Sequence, residues 1–186
     1  MKMFFSYIYS FLTDGLLYIV ILLPVYILCR LIFIRKAQKN ISHRPDITKE
    51  IIKAGLFIYL IMLFTQTFIV NSGESTIELI PFRVIINQLK NIEHTSDGLN
   101  GFIFNVVGNI GVFVPIGIAL SYLLDSNLKK TLFYGCILSL FIEIVQIPLP
   151  RVTDIDDVIL NTTGAFIGFE IYKIISHKLK KRTAVK

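Results

Sequence analysis

The segment FIEIVQIPLPRVTDIDDVILNTTGAFIG, residues 141–168, joins two apolar stretches through a short region rich in proline and aspartate. Glu143 and Gln146 lie near the end of the first stretch, and Asp154 and Asp157 precede the second. Ionisable groups at membrane depth are costly, and they usually face a protein interior or a watery cavity. We therefore predict a helical hairpin whose open end carries polar groups.

The composition is that of a membrane protein. Of the 186 residues, 54% are hydrophobic and only 17% are charged, whereas about a quarter of a soluble domain is charged. Five apolar stretches approach or reach the length needed to cross a bilayer as helices: 15–34, 54–70, 102–124, 131–147 and 158–176. We predict an all-α, polytopic integral membrane bundle of about five transmembrane helices.

The chain divides into three predicted parts. Residues 1–53 form an N-terminal anchor helix and a basic loop, residues 54–176 form a helical membrane domain, and residues 177–186 form a basic tail. The two cysteines, Cys29 and Cys136, lie in apolar stretches, so we expect buried thiols and no disulfide framework. We identify no motif for a metal or a cofactor, and the sequence predicts neither.

The basic residues predict the orientation in the membrane. Five spans place 15 of the 19 lysines and arginines on one side, and only Lys2, Arg83, Lys90 and Arg151 on the other. Because cytoplasmic loops carry an excess of basic residues, we expect the loop 35–53 and the C-terminal tail to be cytoplasmic. The net charge of +6 is then explained by topology, and we predict no nucleic-acid partner. The partners expected from this distribution are membrane lipids.

Polar side chains from separate helices lie at a common depth on the outer side. Asn105 and Asn109 are four residues apart, so they share one face of the third predicted span. Glu143 and Gln146 are three apart at the outer end of the fourth span. These groups are candidate binding residues, except Glu143, which is a candidate catalytic carboxylate. The alternative is that they tie helices together through interhelical hydrogen bonds.

The acidic region before the fifth span supplies further candidates. If the chain is helical there, Asp154, Asp157 and Asn161 follow at spacings of three and four and share one face, while Asp156 points away from it. Asp154 and Asp157 are candidate catalytic residues and Asn161 is a candidate binding residue. A divalent cation at the two aspartates is chemically possible, although no metal site is predicted.

Two arginines complete the predicted site. Arg83 and Arg151 both lie on the outer side, where a guanidinium could pair with the carboxylate of Glu143 or bind an anionic group. Arg151 is a candidate catalytic residue, and Arg83 is a candidate binding residue. Arg83 also follows Phe82, which could anchor the loop in the membrane interface.

Glycines predict where helices pack closely. Gly164 and Gly168 form a face of small residues on the fifth span, and Gly108, Gly111 and Gly117 do so on the third. Small residues let membrane helices approach each other.

Four segments in order resemble the VanZ family: ELIPFR (78–83), NVVGNIGVFVPIG (105–117), EIVQ (143–146) and RVTDIDDVILNTTGAFIG (151–168). The resemblance covers roughly residues 54–176. Family members often have asparagine where this chain has Glu78, so Glu78 is not among the candidate site residues. The resemblance implies a small polytopic membrane protein of the kind found mostly in Gram-positive bacteria, associated with low-level resistance to teicoplanin and related lipid-bearing glycopeptides.

Two functions are compatible with this resemblance. In the first, an outward-facing polar pocket at the outer leaflet binds or modifies an anionic, lipid-linked envelope molecule such as a cell-wall precursor. In the second, the protein is not an enzyme, and it captures the lipid tail of the antibiotic or acts as a partner of the cell-envelope machinery. A transporter is less well supported, because no inverted repeat is seen.

Overall fold

The computed structural model describes residues 9, 13, 15–40, 46–69, 75–92, 98–150 and 152–184. The chain forms two compact units, Met1–Val70 and Asn71–Lys186. The predicted domain boundary at residues 53 and 54 stays a prediction.

The N-terminal unit consists of two helices. Helix α1 spans Leu16–Asn40 and α2 spans Ile47–Ile69, so both extend into the predicted basic loop. Asp46 precedes α2, and its carboxylate accepts hydrogen bonds from the backbone N–H groups of Thr48 and Lys49 at 2.9 and 3.2 Å. This satisfies donors that every helix start leaves unpaired.

An ion pair connects α1 and α2. The guanidinium of Arg30 donates to both carboxylate oxygens of Glu50, each at 2.7 Å, and Lys53 donates to the same carboxylate at 2.7 Å. Burial raises the pKa of Glu50, but the hydrogen bonds from the two cations outweigh it and hold the pKa below its ordinary value. The carboxylate is therefore charged at neutral pH.

The C-terminal unit holds the other elements. They are β1 (Thr76–Glu78), α3 (Arg83–Ile92), α4 (Gly98–Leu123), α5 (Leu128–Gln146), β2 (Val152–Asp154) and α6 (Ile155–Ala184). Helix α6 packs against both α4 and α5. Strands β1 and β2 form a parallel pair with Glu78 opposite Asp154. The described elements are helical, as predicted, apart from this short pair. The sequence predicted neither the strand pair nor helix α3, since residues 71–101 were expected to form a polar loop.

Glycines allow α4 and α6 to touch. A methyl group built on Gly164 would lie 2.2 Å from the carbonyl oxygen of Ile110, and one on Gly168 would lie 2.3 Å from that of Val114. Gly117 meets the backbone of Ala165 in the same way. Phe113, Ile116 and Ala165 are buried beside these contacts.

Two predicted packing glycines lie elsewhere. Methyl groups built on Gly108 and Gly111 would meet no atom within 4 Å. The prediction of close packing is therefore wrong for these two positions, which lie on parts of α4 that face away from α6.

Three of the described helices are long and apolar enough to cross a membrane: Leu16–Lys36 in α1, Gly98–Leu123 in α4 and Ile155–Leu179 in α6. Helix α5 has 19 residues and carries Lys129, Lys130 and Glu143. The molecule is a helical membrane protein with three candidate spans.

Candidate functional site

A row of polar side chains connects α3, α4 and α6. The amide of Asn105 donates to Gln88 at 3.1 Å, and the amide of Asn109 donates to Asn105 at 2.9 Å. The Asn109 amide also donates to the carboxylate of Asp157. All four side chains are half-buried. We call Gln88, Asn105, Asn109 and Asp157 the polar row.

The helices place the polar row at the beginning of two candidate spans. Asn105 and Asn109 are one turn apart in the first half of α4, and Asp157 lies in the first turn of α6. The structure thus brings together three of the predicted site residues, with Gln88 as a fourth member that the sequence reasoning missed. Gln88 could not be assigned to the site from sequence, because only the packing of α3 against α4 brings it next to Asn105.

Glu143 and Asp154 bind backbone groups instead of the polar row. The Glu143 carboxylate accepts a hydrogen bond from the backbone N–H of Asp154 at 3.0 Å. The Asp154 carboxylate accepts one from the backbone N–H of Asp156 at 2.9 Å. Both acids are buried. Asp154 thus has the geometry of a helix cap at the start of α6, and Glu143 holds the strand that precedes it.

The prediction that Asp154 shares a helical face with Asp157 and Asn161 is wrong. The chain is extended through Asp154, and the helix begins at Ile155. The pairing of β2 with β1 keeps these residues extended. This pairing is a contact between distant parts of the chain, so local spacing does not reveal it.

Asp156 is the residue that the sequence reasoning placed outside the site. Its carboxylate is fully buried. It accepts hydrogen bonds from the backbone N–H groups of Phe82 and, at 3.2 Å, Ile85. These are orphan donors at the start of α3, so a side chain of α6 caps the N-terminus of α3. We call this contact the Asp156 latch.

The residue before α3 explains why the latch is needed. Phe82 precedes the first residue of α3, and a phenylalanine side chain cannot accept a hydrogen bond from the helix start. Phe82 also has a φ of 64°, which is uncommon for a residue other than glycine. A helix start without its own capping side chain requires an acceptor from elsewhere.

Asn161 and Asp157 bond to different helices. Asp157 accepts from Asn109 of α4, while the amide of Asn161 donates to the hydroxyl of Ser139 on α5 at 2.8 Å. Asn161 is buried, and its amide oxygen has no hydrogen-bond partner in the described part of the chain. Asn161 therefore ties α6 to α5, as the structural alternative predicted for the amides. Gln146 is buried at the end of α5.

Arg83 lies at the solvent-accessible start of α3. Its side chain is 53% exposed and pairs with Glu78 at 3.4 Å. Glu78, which the sequence reasoning left out, therefore belongs to the surroundings of the predicted site. Arg151 lies outside the described residues, so its predicted role stays a prediction.

The surroundings of Asp154 favour its protonated form. Burial raises the pKa of Asp154 to about 6. The hydrogen bond from the backbone of Asp156 opposes this rise, and the carboxylates of Asp156 and Glu78 add to it. The folded chain therefore retains a proton on Asp154 at pH values where the unfolded chain has lost it.

We expect Asp154 to make stability depend on pH. Because its pKa is higher in the folded state, its contribution declines as pH rises between about pH 4 and pH 6 and is constant above that interval. Asp154→Asn keeps a side-chain oxygen for the backbone of Asp156 but cannot ionise. The melting temperature of the variant minus that of the wild type should thus increase from about pH 4 to pH 7. A difference that does not vary with pH would contradict this assignment.

In the described ranges, no group of three or more His, Cys, Asp and Glu side chains is placed to hold a metal ion. The sequence-based expectation of no metal and no cofactor remains a prediction.

Comparison with known proteins places the site within a family match. The family model described as VanZ/LLP1 matches residues 51–176, which include both strands, the polar row and the Asp156 latch. The chain is similar to Protein VanZ of Enterococcus faecium, at 30% identity over 117 residues, or 56% of this chain and 70% of that protein. No solved structure matches the chain.

Proposed function

The chain belongs to the VanZ/LLP1 family, and on this premise we propose that it lowers susceptibility to teicoplanin and related lipid-bearing glycopeptides. The proposed means is a polar pocket at the outer leaflet, formed by the polar row, that binds an anionic, lipid-linked envelope molecule, with Arg83 at the exposed start of α3 as a separate contact for the anionic group. The observation that supports it best is the half-buried position of four connected polar side chains at the start of two candidate spans.

The chemistry of these groups suits an anionic ligand. The amides of Gln88, Asn105 and Asn109 can donate hydrogen bonds to phosphate oxygens. Arg83 supplies positive charge, and its long, exposed contact with Glu78 is of a kind that contributes little stability. A phosphate could therefore displace Glu78 from Arg83 at small cost, since guanidinium and phosphate pair well.

The contacts favour binding over catalysis by Glu143 and Asp154. Both carboxylates accept hydrogen bonds from backbone N–H groups. Such contacts are typical of carboxylates with a structural role. Asp157 is half-buried and remains the candidate for acid–base chemistry. In this proposal Glu143 and Asp154 support the pocket, and Asp157 orients the amide of Asn109.

We further propose five spans, with the loop 35–53 and the tail in the cytoplasm. The fourth span is then α5, whose lysines lie at its cytoplasmic start and whose Glu143 is held at its other end. A topology reporter inserted at residue 90 should read as external and one at residue 42 as cytoplasmic. The reverse result would place the pocket on the wrong side of the membrane.

Susceptibility to teicoplanin tests the proposed pocket. We expect Asp157→Asn and Arg83→Gln, produced in a strain lacking the native gene, to be as susceptible as the strain without the protein. The reason is that a hydrogen bond to a charged group contributes about 1.5–3 kcal/mol, or roughly a tenfold or greater change in binding. Lys90→Gln is the matched control, because Lys90 is an exposed cation on the same helix outside the polar row. Full resistance in both variants at normal protein abundance would rule out the pocket.

Two further measurements separate the alternatives. A glycopeptide without a lipid tail should show no dependence on the protein if capture of that tail is the mechanism. Purified protein incubated with lipid-linked wall precursors, followed by mass spectrometry, distinguishes modification from binding. Binding without change of mass supports the proposal, and a changed precursor shows an enzyme.

A further inference from the structure

Helix α3 has three distinct faces. The face that is half-buried against the bundle consists of Val84, Ile85, Gln88 and Ile92. The exposed polar face consists of Arg83, Asn87 and Lys90. The exposed apolar face consists of Ile86 and Leu89. At 100° per residue the two exposed faces are adjacent, and Phe82, just before the helix, is exposed next to the apolar one.

The exposed apolar face continues into the residues before α3. Large apolar side chains between 46% and 69% exposed recur over 13 residues: Ile77, Leu79, Ile80, Phe82, Ile86 and Leu89. We call these six residues the apolar patch. Contiguous exposed apolar surface of this kind marks a site of interaction with a protein or a membrane, because each such side chain gains free energy when it leaves water.

Two sets of hydrogen bonds fix the position of the apolar patch along the candidate spans. The Asp156 latch ties the start of α3 to the second residue of α6, where a candidate span begins. Gln88 bonds to Asn105, which lies seven residues after the start of α4, or about 10 Å along the helix. Helix α3 therefore lies beside the first turns of two candidate spans, where such spans would enter the membrane.

The cations adjoin the apolar patch. Arg83 and Lys90 are exposed and lie two turns apart on the polar face of α3, which adjoins its apolar face. An amphipathic helix in the membrane interface has this arrangement, with apolar side chains toward the acyl chains and basic ones at the headgroups.

We propose that α3 and residues 77–82 lie in the membrane interface, with the apolar patch buried among acyl chains and with Arg83 and Lys90 at the phosphates of anionic lipids. The occupant of this surface is thus the lipid bilayer that holds the spans. The inference depends on the fold and the candidate spans, and it is independent of the proposed effect on antibiotics.

Tryptophan fluorescence tests this placement, because the chain has no tryptophan of its own. Ile86→Trp puts the fluorophore on the apolar face, and the matched control Asn87→Trp puts it on the polar face of the same helix. Each full-length variant is reconstituted into vesicles of phosphatidylcholine and phosphatidylglycerol, with or without chains brominated near the headgroup. We expect blue-shifted emission at position 86, with about twofold or more stronger bromine quenching than at position 87.

The remaining outcomes overturn the proposal. Emission at position 86 that is red-shifted like that at position 87 means that the apolar face lies in water. Blue-shifted emission without bromine quenching means that protein, such as a second copy of the chain, covers the patch. Leu89→Trp repeats the measurement on the same face if Ile86→Trp does not fold. Teicoplanin susceptibility plays no part in the readout, so failure here is distinct from failure of the proposed function.

Discussion

Gly164→Ala is expected to lower the free energy of unfolding by about 3 kcal/mol, and larger side chains at this position should prevent folding. The added methyl group would lie 2.2 Å from the carbonyl oxygen of Ile110 and 2.9 Å from the side chain of Phe113. A backbone oxygen cannot rotate away, so α4 and α6 would have to separate along their main interface. Thermal unfolding of the purified protein in detergent, followed by circular dichroism, measures the effect.

Gly111→Ala is the control for this substitution. It introduces the same methyl group on α4, but the group meets no atom within 4 Å. Because alanine is the better helix former by about 1 kcal/mol, this variant should be as stable as the wild type or more so. Equal melting temperatures for Gly164→Ala and the wild type would show that the close contact of α4 and α6 does not contribute to stability.

Asp156→Ala should be the other strongly destabilising change. It removes the acceptor of two backbone N–H groups at the start of α3. The expected loss is about 2–4 kcal/mol, from a lost helix cap and from donors left without partners. The loss should be accompanied by proteolytic sensitivity near residues 79–85, because the latch holds this segment to α6. Melting temperature and limited proteolysis in detergent provide the two measurements.

Two further variants make the assignment of the latch specific. Asp156→Asn keeps one oxygen acceptor but replaces the other with a donor, so it should lose part of the stability that the alanine variant loses. Asn87→Gln is the control, because Asn87 is an exposed amide on the same helix α3 that the latch caps. It should differ from the wild type by less than about 0.5 kcal/mol. Unfolding of Asp156→Ala at the same temperature as the wild type would refute the role of the latch.

The helices of the membrane bundle were predictable from local sequence. The predicted spans 102–124 and 131–147 correspond to α4, Gly98–Leu123, and α5, Leu128–Gln146. The hydropathy and length of a segment depend only on its consecutive residues, so a span can be predicted without knowing which helices pack against it. The family followed from four short motifs in order, and the match to residues 51–176 confirms it.

The faces of these helices were harder to predict. Gly164 and Gly168 do meet α4, but Gly108 and Gly111 do not meet another helix. A stripe of small residues indicates that a helix could be approached closely, while the choice of face depends on where the neighbouring helix lies. The same limit applied to Asp157 and Asn161, which are one turn apart but bond to α4 and α5.

Hydropathy and motif order, which are written in consecutive residues, were enough for the membrane class, the helical bundle and the VanZ family. The latch, the strand pair and the polar row depended on partners far apart in the chain. Asp156 caps a helix that begins more than 70 residues earlier, and Glu78 lies beside Asp154. A buried carboxylate is stable only where donors reach it, and those donors come from a segment that local spacing cannot identify. Asp156 could therefore be recognised only after α3 and α6 had been brought together.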